Sequence, residues 1–578
     1  MALTPEIQQK VNTWLTGSYD ATTQADIRQM LTSNQDDLLN DAFYRNLEFG
    51  TGGLRGVMGT GSNRMNRYTL GMATQGLCNY LLKSFPDQQI KVAIAHDSRN
   101  NSKEFARIAA GIFSANGIVV YLFEDLRPTP ELSYTIRHLE CHSGVVITAS
   151  HNPKEYNGYK VYWQDGAQVV APHDKNIIYE VNNIHSVDEV KFAPVESRIH
   201  MVGQAIDEAY LAEVQKLSIN PGAIKRQHDL KIVYTPLHGT GITLVPKALQ
   251  RFGFTNVHIV QEQATPDGNF PTVQSPNPEE KAAMQIALDQ AKQLDADLVI
   301  ATDPDSDRVG IGVKNHQGEW VLVNGNQTAA LLTHYLLSAR AQAGKMTDQD
   351  YIVYTIVTSD VLGDIAHAHG VKYYQTLTGF KYIAGVIREL EGRETYIGGG
   401  EESYGYMIGD FVRDKDAISA CAMIAEMAAV AKDKGQTLYE ALMQMYATYG
   451  LYQENLISLT KKGQRGAEEI QEMMRDLRAN PPATIAGSPV VEVRDYELGH
   501  IRNLQTGDQA PTGLEKSNVL QFITEDGSKI SARPSGTEPK IKFYFSVKHP
   551  LKSTADFDMV DRKLTGRIQT IIEDMQLK

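Results

Sequence analysis

The sequence predicts an α/β fold with three similar mixed α/β-sheet domains and a smaller C-terminal α+β domain around one central cleft. Two observations support this prediction. The chain has 578 residues, which is too long for a single hydrophobic core. Between residues 91 and 401, short apolar strands alternate with helical segments in three successive rounds, which is typical of sheets covered by helices. Each round ends in a polar loop, so three domains could direct three loops into one cleft.

The first round follows an N-terminal extension. Residues 1–45 are predicted to be helical, because apolar residues such as Trp14 and Ile27 recur with helical spacing. The glycine-rich segment 50–56 then breaks this pattern. The first round is predicted to contain a strand at 91–95, a helix at 102–115, a strand at 118–123, a helix at 131–139 and a strand at 144–147. It ends at Ser150.

The second and third rounds repeat the pattern of the first without residue-level identity. The second contains a strand at 231–234, a helix at 243–252, a strand at 257–260, a helix at 279–294 and a strand at 298–300. It ends at Asp303. The third contains a strand at 351–357, a helix at 360–369, a strand at 371–374, a helix at 380–390 and a strand at 395–397. It ends at Glu401.

The character of the sequence changes from about residue 456. A helix near 466–479 precedes β-rich sequence, in which strands at 519–524 and 540–547 flank an arginine-containing loop, and a last helix follows residue 554. These changes predict four domains, which span residues 1–205, 206–323, 324–455 and 456–578.

Composition and charge exclude several classes of function. Hydrophobic residues make up 42% and charged residues 22%, as in an ordinary soluble protein. The net charge of −13 gives no general attraction to nucleic acid or to anionic membranes, so a phosphate substrate would need locally concentrated positive charge. The most apolar helical run, 417–430, contains Glu426 and is too short to span a bilayer. The three cysteines are far apart, and the N-terminus lacks a signal peptide. A cytoplasmic protein is expected, whereas the oligomeric state is not predicted.

Ser150 lies at the carboxyl end of a predicted buried strand, where open α/β sheets bind their ligands. A serine in this position is a candidate nucleophile or phosphoryl carrier, although a serine that only caps the next turn is the simpler alternative. An acyl-transfer elbow would require glycine at positions 148 and 152, which are occupied by Thr148 and Asn152. The sequence also lacks a Walker A motif and a complete dinucleotide-binding motif, which argues against nucleotide-driven and nicotinamide chemistry.

Asp303, Asp305 and Asp307 are spaced so that an extended loop places their carboxylates on one side. They could share a cation, or they could form a solvated acidic turn. An EF-hand would require glycine and glutamate where Arg308 and Lys314 stand, and helices where the flanks resemble strands. Three carboxylates leave room for a phosphate oxygen, which favours Mg²⁺ beside a bound phosphate.

Four motifs occur in a fixed order along the chain: Thr148–Pro153, Asp303–Arg308, Gly400–Ser403 and Arg533–Thr537. In this order they resemble the phosphoserine, metal, sugar and phosphate loops of the α-D-phosphohexomutase superfamily. The resemblance extends from about Arg55 to Lys542. The N-terminal helical extension and the Glu401–Tyr406 loop are most similar to the phosphoglucomutase/phosphopentomutase subgroup.

This resemblance implies a role for each candidate residue. The catalytic group comprises Ser150, His151, Lys160, Arg55 and Arg308. Ser150 would carry the phosphate and join the three aspartates around one Mg²⁺. Lys160 would be the general acid or base, with its pKa lowered by Arg55 and Arg308, and His151 could take this role instead. The substrate-binding group comprises Glu401, Ser403, Lys381, Arg413, Arg533, Ser535, Gly536 and Thr537.

The resemblance also implies the reaction. The expected enzyme is a phosphosugar mutase that interconverts glucose 1-phosphate and glucose 6-phosphate through a phosphoserine and glucose 1,6-bisphosphate, which would also be its activator. Mannose and pentose phosphates remain alternative substrates. A phosphatase that lets water attack the phosphoserine is a further alternative, although a closed cleft would exclude water. No nucleic acid or membrane partner is expected.

Overall fold

A computed structural model describes residues 3–33, 35–50, 52–461, 463–535 and 540–577. Three N-terminal helices precede the first sheet: α1 (Pro5–Thr16), α2 (Ala21–Thr32) and α3 (Asp36–Phe43). The side chains of Thr4 and Asp20 cap the first two helices. The three helices pack around Trp14 and Phe43 in a separate small core, which confirms the predicted helical extension.

The first sheet lies between residues 53 and 202, with its helices on both faces. Its elements are β1 (Gly53–Val57), α4 (Arg67–Ser84), β2 (Lys91–His96), α5 (Ser102–Ala115), β3 (Val119–Phe123), α6 (Thr129–His138), β4 (Ser143–Ile147), β5 (Tyr156–Trp163), α7 (His173–Asn182) and β6 (Ile199–Val202). Alternate residues of β2 pack into different cores, because Val92 and Ile94 face one cluster and Ala93 and Ala95 face another.

The second sheet follows two helices. The elements of this region are α8 (Gln204–Lys216), α9 (Pro221–Arg226), β7 (Ile232–Thr235), α10 (Val245–Phe252), β8 (Val257–Ile259), α11 (Gln261–Ala264), α12 (Lys281–Leu294), β9 (Leu298–Thr302), β10 (Val309–Lys314) and β11 (Trp320–Val323). The third region contains α13 (Gly325–Gln342), β12 (Asp350–Thr355), α14 (Val361–Ala368), β13 (Lys372–Thr376), α15 (Phe380–Leu390), β14 (Thr395–Glu401), β15 (Gly405–Ile408), α16 (Ala417–Asp433) and α17 (Leu438–Tyr449).

The three sheets share one strand order, which confirms the predicted repeat. Each contains a set of four neighbouring strands in the order β5-β4-β2-β3, β10-β9-β7-β8 or β15-β14-β12-β13. Within each set the last three strands are parallel and the first is antiparallel to its neighbour. The polar loop of each repeat therefore connects a parallel strand to an antiparallel return strand. The three loops occupy equivalent positions in the three sheets.

The fourth sheet is antiparallel and matches the predicted α+β character. Its elements are β16 (Leu451–Thr460), α18 (Gly463–Ala479), β17 (Thr484–Ile485), β18 (Ser488–Asp495), β19 (His500–Asn503), β20 (Gln509–Pro511), β21 (Leu520–Thr524), β22 (Lys529–Pro534), β23 (Lys540–His549) and α19 (Phe557–Asp574). It contacts the third region, because the Gln521 amide donates to the Ile356 carbonyl at 2.8 Å and Lys529 pairs with Asp360 at 2.8 Å.

Two predicted domain boundaries cut elements of the structure. The boundary at 205/206 lies inside α8, and the boundary at 455/456 lies inside β16, which pairs with β23 along its whole length. Strand β1 also lies in the glycine-rich segment that was expected only to break the helical pattern. Its Gly53 has φ 136°, and a Cβ atom there would lie 1.8 Å from the Tyr159 carbonyl oxygen. Glycine thus allows β1 to approach β5.

The three cysteines, Cys78, Cys141 and Cys421, are buried and unpaired. Across the described part of the chain, each helix is either too short or too polar to cross a bilayer.

Candidate active site

The loop that carries Ser150 is a tight turn between β4 and β5. Ser150 is 4% exposed and has φ 52°, a left-handed conformation that is strained for a serine. Its backbone N–H donates to Oγ1 of Thr148 at 2.8 Å, which stabilises the turn. The serine predicted to be the phosphoryl carrier thus lies at the end of a buried strand in a strained backbone conformation.

One buried arginine, Arg99, holds this loop together. It follows β2 and is 3% exposed. Its Nη2 donates to the Ser150 carbonyl at 2.5 Å and also to the Asn152 carbonyl, and its Nη1 donates to the carbonyls of Pro153 at 2.9 Å and Tyr156 at 3.1 Å. The Asp97 carboxylate lies 3.3 Å from its Nε and balances the buried charge. The guanidinium fork therefore fixes the backbone on both sides of Ser150.

Asp303, Asp305 and Asp307 form one buried carboxylate group. They are 0%, 0% and 2% exposed, and one carboxylate oxygen from each lies within 4.8 Å of the others. Oδ1 of Asp303 accepts from the backbone N–H groups of Asp307 at 3.1 Å and Arg308 at 3.0 Å, which closes the turn. We call these residues the aspartate group.

The serine and the aspartate group meet directly, although they lie in different sheets. The Ser150 hydroxyl donates to Oδ2 of Asp303 at 2.8 Å, and its Oγ lies 3.1 Å from Nδ1 of His151. Burial, followed by the charges of Arg308 and Arg55, lowers the pKa of His151 to about 2. His151 is therefore neutral at physiological pH and is only a weak base.

The aspartate group could bind a metal ion. Oδ1 of Asp305 and Oδ1 of Asp307 are buried without a hydrogen-bond partner among the described residues. Burial and the neighbouring carboxylates raise the pKa of Asp303 well above its usual range, because three negative charges are confined there. Unpaired carboxylate oxygens and mutual repulsion are both relieved by a hard cation.

Lys160 and Lys415 partly neutralise the aspartate group. Lys160 Nζ lies 2.8 Å from Oδ2 of Asp305 and 3.7 Å from Oδ2 of Asp307, and Lys415 Nζ lies 3.2 Å from the same Asp307 oxygen. Burial favours the neutral form of Asp305, but Lys160 outweighs it and holds the pKa of Asp305 below its usual range.

The expected lowering of the Lys160 pKa by Arg55 and Arg308 is wrong in this arrangement. Burial and Arg55 do act to lower it, but Asp305 and Asp307 outweigh them and raise the pKa of Lys160. The two arginines have other partners. Nη1 of Arg308 donates to Glu279 at 2.7 Å and to the Ser403 carbonyl at 3.0 Å, and Arg55 donates to the Asn152 side chain at 3.2 Å. Lys160 is therefore a cation beside the aspartate group.

The neighbouring sheets hold the aspartate loop from both sides. From the first, Thr129 donates its N–H to the Asp305 carbonyl at 2.9 Å and its hydroxyl to the Asp305 carboxylate at 3.1 Å. From the third, Ala417 donates its N–H to the Ser306 carbonyl at 3.2 Å. The N–H of Val309 in turn donates to the Tyr404 carbonyl at 3.0 Å. The three polar loops are thus bonded into one unit, as expected for three loops that share a cleft.

The third loop begins at Glu401, which is the last residue of β14 and is 5% exposed. Its Oε1 accepts from the Gly379 N–H at 2.8 Å. Gly379 immediately precedes α15, whose second residue is Lys381. Burial lowers the pKa of Lys381, and its ammonium lies 5.2 Å from the ring centroid of Tyr382. Ser403 is connected to the aspartate loop through the bond from Arg308 to its carbonyl.

The structure does not bring the Arg413 guanidinium to the aspartate group. Arg413 is 1% exposed and donates to Glu391 at 2.8 Å, to the Val412 carbonyl at 3.1 Å and to the Asp410 carbonyl. The same segment instead sends Lys415 to the group. A Cβ atom on Gly405 would lie 2.0 Å from Cδ of Lys415, so the absence of a side chain at position 405 makes room for this lysine.

The predicted phosphate loop extends beyond the described residues. Arg533 lies near the end of β22, opposite Lys542 on β23, and the Ser535 N–H donates to the Lys540 carbonyl at 2.7 Å. Gly536 and Thr537 lie outside the described residues. Burial, together with Lys540 and Arg533, lowers the pKa of Lys542, which indicates a local concentration of positive charge.

Arg533 and the third loop both influence one tyrosine, Tyr544. Burial raises the pKa of the Tyr544 phenol, the charge of Glu402 adds to this effect, and Arg533 opposes it. One phenol therefore lies close to both the Glu401–Glu402 pair and Arg533. This arrangement brings the basic patch of the fourth sheet to the loop predicted to bind the sugar.

Sequence reasoning did not single out Arg99, Thr129 or Lys415. Arg99 lies in the polar segment directly after β2, and this position after a strand could have suggested it. Lys415 lies two residues after Arg413, which was selected in its place. Thr129 had no distinguishing pattern. Each of the three contacts at least one partner that lies 50 or more residues away in sequence.

Comparison with known proteins places these features in a family. Models of phosphoglucomutase/phosphomannomutase α/β/α domains I, II and III match residues 46–188, 208–318 and 324–449. The chain is 38% identical over 509 residues to a phosphoglucomutase of Staphylococcus haemolyticus, covering 87% of this chain and 91% of the relative. It is 38% identical over 531 residues to a phosphoglucomutase of Staphylococcus aureus strain N315, covering 91% and 93%.

Solved structures show the same fold. The open form of the Paramecium phosphoprotein parafusin, a phosphoglucomutase, matches with a TM-score of 0.67 at 20% identity and covers 92% of this chain and 96% of that one. A phosphoglucomutase/phosphomannomutase family protein from Burkholderia thailandensis matches with a TM-score of 0.62 at 18% identity and covers 91% and 97%. The chain belongs to the phosphoglucomutase/phosphomannomutase family of the α-D-phosphohexomutase superfamily.

Proposed function

We propose that this protein interconverts glucose 1-phosphate and glucose 6-phosphate through a phosphoserine at Ser150 and a glucose 1,6-bisphosphate intermediate. The observation that carries the proposal is the 2.8 Å bond from the Ser150 hydroxyl to Asp303, which joins a nucleophile of one repeat to the carboxylates of the next. The 38% identity to enzymes named phosphoglucomutase over most of the chain supports glucose as the sugar.

In the proposed reaction the bond between phosphorus and Ser150 Oγ breaks while a bond to a free sugar hydroxyl forms. A base takes the proton of that hydroxyl, the departing Ser150 oxygen gains a proton, and a bisphosphate and a free serine hydroxyl result. The bisphosphate then presents its other phosphate, which returns to Oγ as the bond to the sugar breaks. Enzyme and sugar each regain their original number of phosphates.

The unpartnered Oδ1 atoms of Asp305 and Asp307 fit one Mg²⁺ per chain, with Asp303 and the Ser150 phosphate as further ligands. When bound, Mg²⁺ would neutralise charge on the oxygens of the transferred phosphoryl group. Lys160 and Lys415 add fixed positive charge at the same place.

Proton transfer in this proposal is divided between two groups. His151, neutral and 3.1 Å from the Ser150 oxygen, positions this oxygen, and Asp303, to which the hydroxyl donates and whose pKa is raised, accepts the serine proton when no phosphate is attached. Lys160 has a raised pKa, so it enters the reaction as a cation and can donate a proton to a departing sugar oxygen. Arg55 and Arg308 hold the surrounding loops and contribute positive charge.

Recognition of the sugar is assigned to the third and fourth regions. Glu401 and Ser403 would bind sugar hydroxyls, and Lys381 would contact the substrate. Arg533, Ser535, Gly536 and Thr537 would bind the phosphate that is not being transferred. Arg413 is proposed only to shape the segment that presents Lys415, because both of its Nη atoms donate to Glu391 or to backbone carbonyls.

We further propose four domains that follow the four sheets, with the last beginning near Gly450, and we retain the cytoplasm as the expected location. The three buried, unpaired cysteines are consistent with a reducing compartment.

A coupled assay with glucose, mannose and ribose 1-phosphates, with and without glucose 1,6-bisphosphate, tests the function. We expect the highest kcat/KM for glucose 1-phosphate, stimulation by the bisphosphate and phosphate on Ser150 in the intact mass. Ser150→Ala should lose both the phosphate and turnover. Release of free phosphate from the phosphoserine without sugar product would instead support a phosphatase, and a higher kcat/KM for mannose 1-phosphate would contradict glucose specificity.

A further inference from the structure

The ammonium group of Lys415 is held by contacts from more than one direction. Its Nζ lies 3.0 Å from Oδ1 of Asp414 and 3.2 Å from Oδ2 of Asp307. It also lies 5.5 Å from the ring centroid of Phe380, which is the first residue of α15. The next residue of this helix is Lys381, which is proposed to contact the substrate. The charge of Lys415 therefore lies between the aspartate group and the start of α15.

Asp414 connects Lys415 to the first sheet. It is 5% exposed, and a buried carboxylate is stable only when its oxygens have hydrogen-bond partners. Oδ1 of Asp414 accepts from the backbone N–H of Lys415 at 2.8 Å and from its ammonium at 3.0 Å. Oδ2 accepts from the hydroxyl of Tyr162, which is fully buried, at 2.6 Å. Tyr162 therefore fixes the orientation of the carboxylate that holds the lysine.

Strand β5 influences both lysines that lie against the aspartate group. Lys160 and Tyr162 are two positions apart on this strand, so their side chains lie on the same face. Lys160 contacts the group directly, because its Nζ lies 2.8 Å from Oδ2 of Asp305. Tyr162 is connected to Lys415 through Asp414. One strand of the first sheet thus helps to place two cations, of which one comes from the first repeat and the other from the third.

We propose that Tyr162 and Asp414 are positioning residues for phosphoryl transfer, because together they hold the Lys415 ammonium beside the aspartate group. This inference rests on the proposed mutase reaction. Asp307 is also a proposed ligand of Mg²⁺, so Asp414 is the carboxylate that remains free to anchor the lysine. A lysine side chain has four flexible bonds, and an ammonium without an anchor would spend less of its time beside the transferred phosphoryl group.

The test is a double-mutant cycle with Tyr162→Phe and Lys415→Met, followed by the coupled assay at saturating glucose 1-phosphate and glucose 1,6-bisphosphate. Tyr162→Phe removes one hydroxyl and keeps the ring, and we expect it to lower kcat about tenfold. Lys415→Met alone should lower kcat about a hundredfold. In the Lys415→Met background, Tyr162→Phe should change kcat less than twofold, because no ammonium is left to position.

Tyr159→Phe is the matched control. Tyr159 lies on β5 three residues before Tyr162, is fully buried and packs into a different core. Its hydroxyl has no hydrogen-bond partner among the described residues, so we expect this variant to match the parent in kcat. Thermal unfolding of each variant checks that it folds, and Lys415→Gln replaces Lys415→Met in the cycle if the methionine variant folds poorly.

Two results would overturn the proposal alone. One is a kcat of Tyr162→Phe equal to that of the parent. The other is an equal loss of kcat from Tyr162→Phe in the parent and in the Lys415→Met background, since a hydroxyl that only stabilises the fold acts independently of the lysine. A failure of the proposed function looks different, because the parent would then show no mutase turnover, and that result would overturn both.

Discussion

Replacing Arg99 with lysine tests whether the loop that carries Ser150 depends on one guanidinium fork. Two Nη atoms of Arg99 donate to four carbonyls of this loop. Lysine keeps a positive charge beside Asp97, so no buried carboxylate is left without a cation. Its single nitrogen cannot reproduce the geometry of the fork. The substitution therefore removes loop contacts with little change in charge.

The magnitude follows from these contacts. A hydrogen bond from a charged donor contributes about 1.5–3 kcal/mol, so the loss of two such bonds weakens the loop by about 3–6 kcal/mol. Ser150 has φ 52°, a conformation that costs about 1–3 kcal/mol and is disfavoured once the loop is released. If about 2 kcal/mol of this loss appears in the barrier to phosphoryl transfer, kcat falls about thirtyfold. The KM for glucose 1-phosphate should change little, because the proposed sugar contacts lie on other loops.

The assay is a coupled measurement of glucose 6-phosphate formation, combined with intact-mass analysis of phosphate on Ser150 and thermal unfolding. Arg107→Lys is the control, because Arg107 is an exposed arginine that pairs with Glu196 on the surface of the same sheet. We expect this variant to match the parent. A normal kcat and a normal phosphate content in Arg99→Lys would refute the reasoning, and so would an equal loss in Arg107→Lys.

Four other predictions follow from the site and its surroundings. Asp305→Asn removes a charge from the proposed magnesium site, so turnover and bound Mg²⁺ should both fall by about a hundredfold or more. Bound Mg²⁺ is measured by elemental analysis, and retained turnover after chelation would contradict this prediction. Glu401→Gln can still accept the Gly379 N–H, so KM should rise while the phosphate content of Ser150 stays constant, and a loss of both would argue against a sugar-binding role. Arg533→Ala should slow the forward and reverse reactions together by about a hundredfold and increase the release of isotope-labelled bisphosphate, whereas an effect in one direction alone would exclude a shared phosphate site. Burial raises the pKa of Glu454 to about 7 from 4.5. Between these two pH values the folded chain keeps a proton on Glu454 that the unfolded chain loses. The free energy of unfolding should therefore fall as the pH rises, by up to about 3 kcal/mol. Glu454→Gln should abolish this decline, as measured by Tm at pH 5 and pH 8, and an unchanged difference in Tm would show that another group is responsible.

The repeat could be predicted because each round alternates short apolar strands with helices and ends in a polar loop. Elements outside this alternation were missed. Helices α4, α13 and α17 were not predicted, and α4 is buried on most of its surface, which weakens a one-sided apolar pattern. Strand β1 was missed because its glycines, considered without the paired strand β5, indicate the end of a helix rather than a strand. Only the pairing with β5 explains why position 53 excludes a side chain.

Ser150 and the aspartates could be identified because their chemistry lies in contiguous motifs. The electrostatics of Lys160 could not, since its closest charges belong to Asp305 and Asp307, which lie about 145 residues away in sequence. The sequence identifies which charges a domain contains, but it does not specify the distances between them. For the same reason, Lys415 rather than Arg413 reaches the carboxylates, although the two residues are only two positions apart in sequence.

The bonds that hold the aspartate loop from both sides also affect how the enzyme becomes active during synthesis. Ser150 leaves the ribosome well before Ala417, whose N–H bonds to the Ser306 carbonyl. At roughly 5–20 residues per second, a nascent chain spends on the order of ten to fifty seconds between these two points. In the last part of that interval, after residue 307, the serine and the carboxylates have been synthesised, but Lys415 and the start of α16 have not. Newly made chains are therefore expected to stay catalytically silent until the third repeat has folded against the other two.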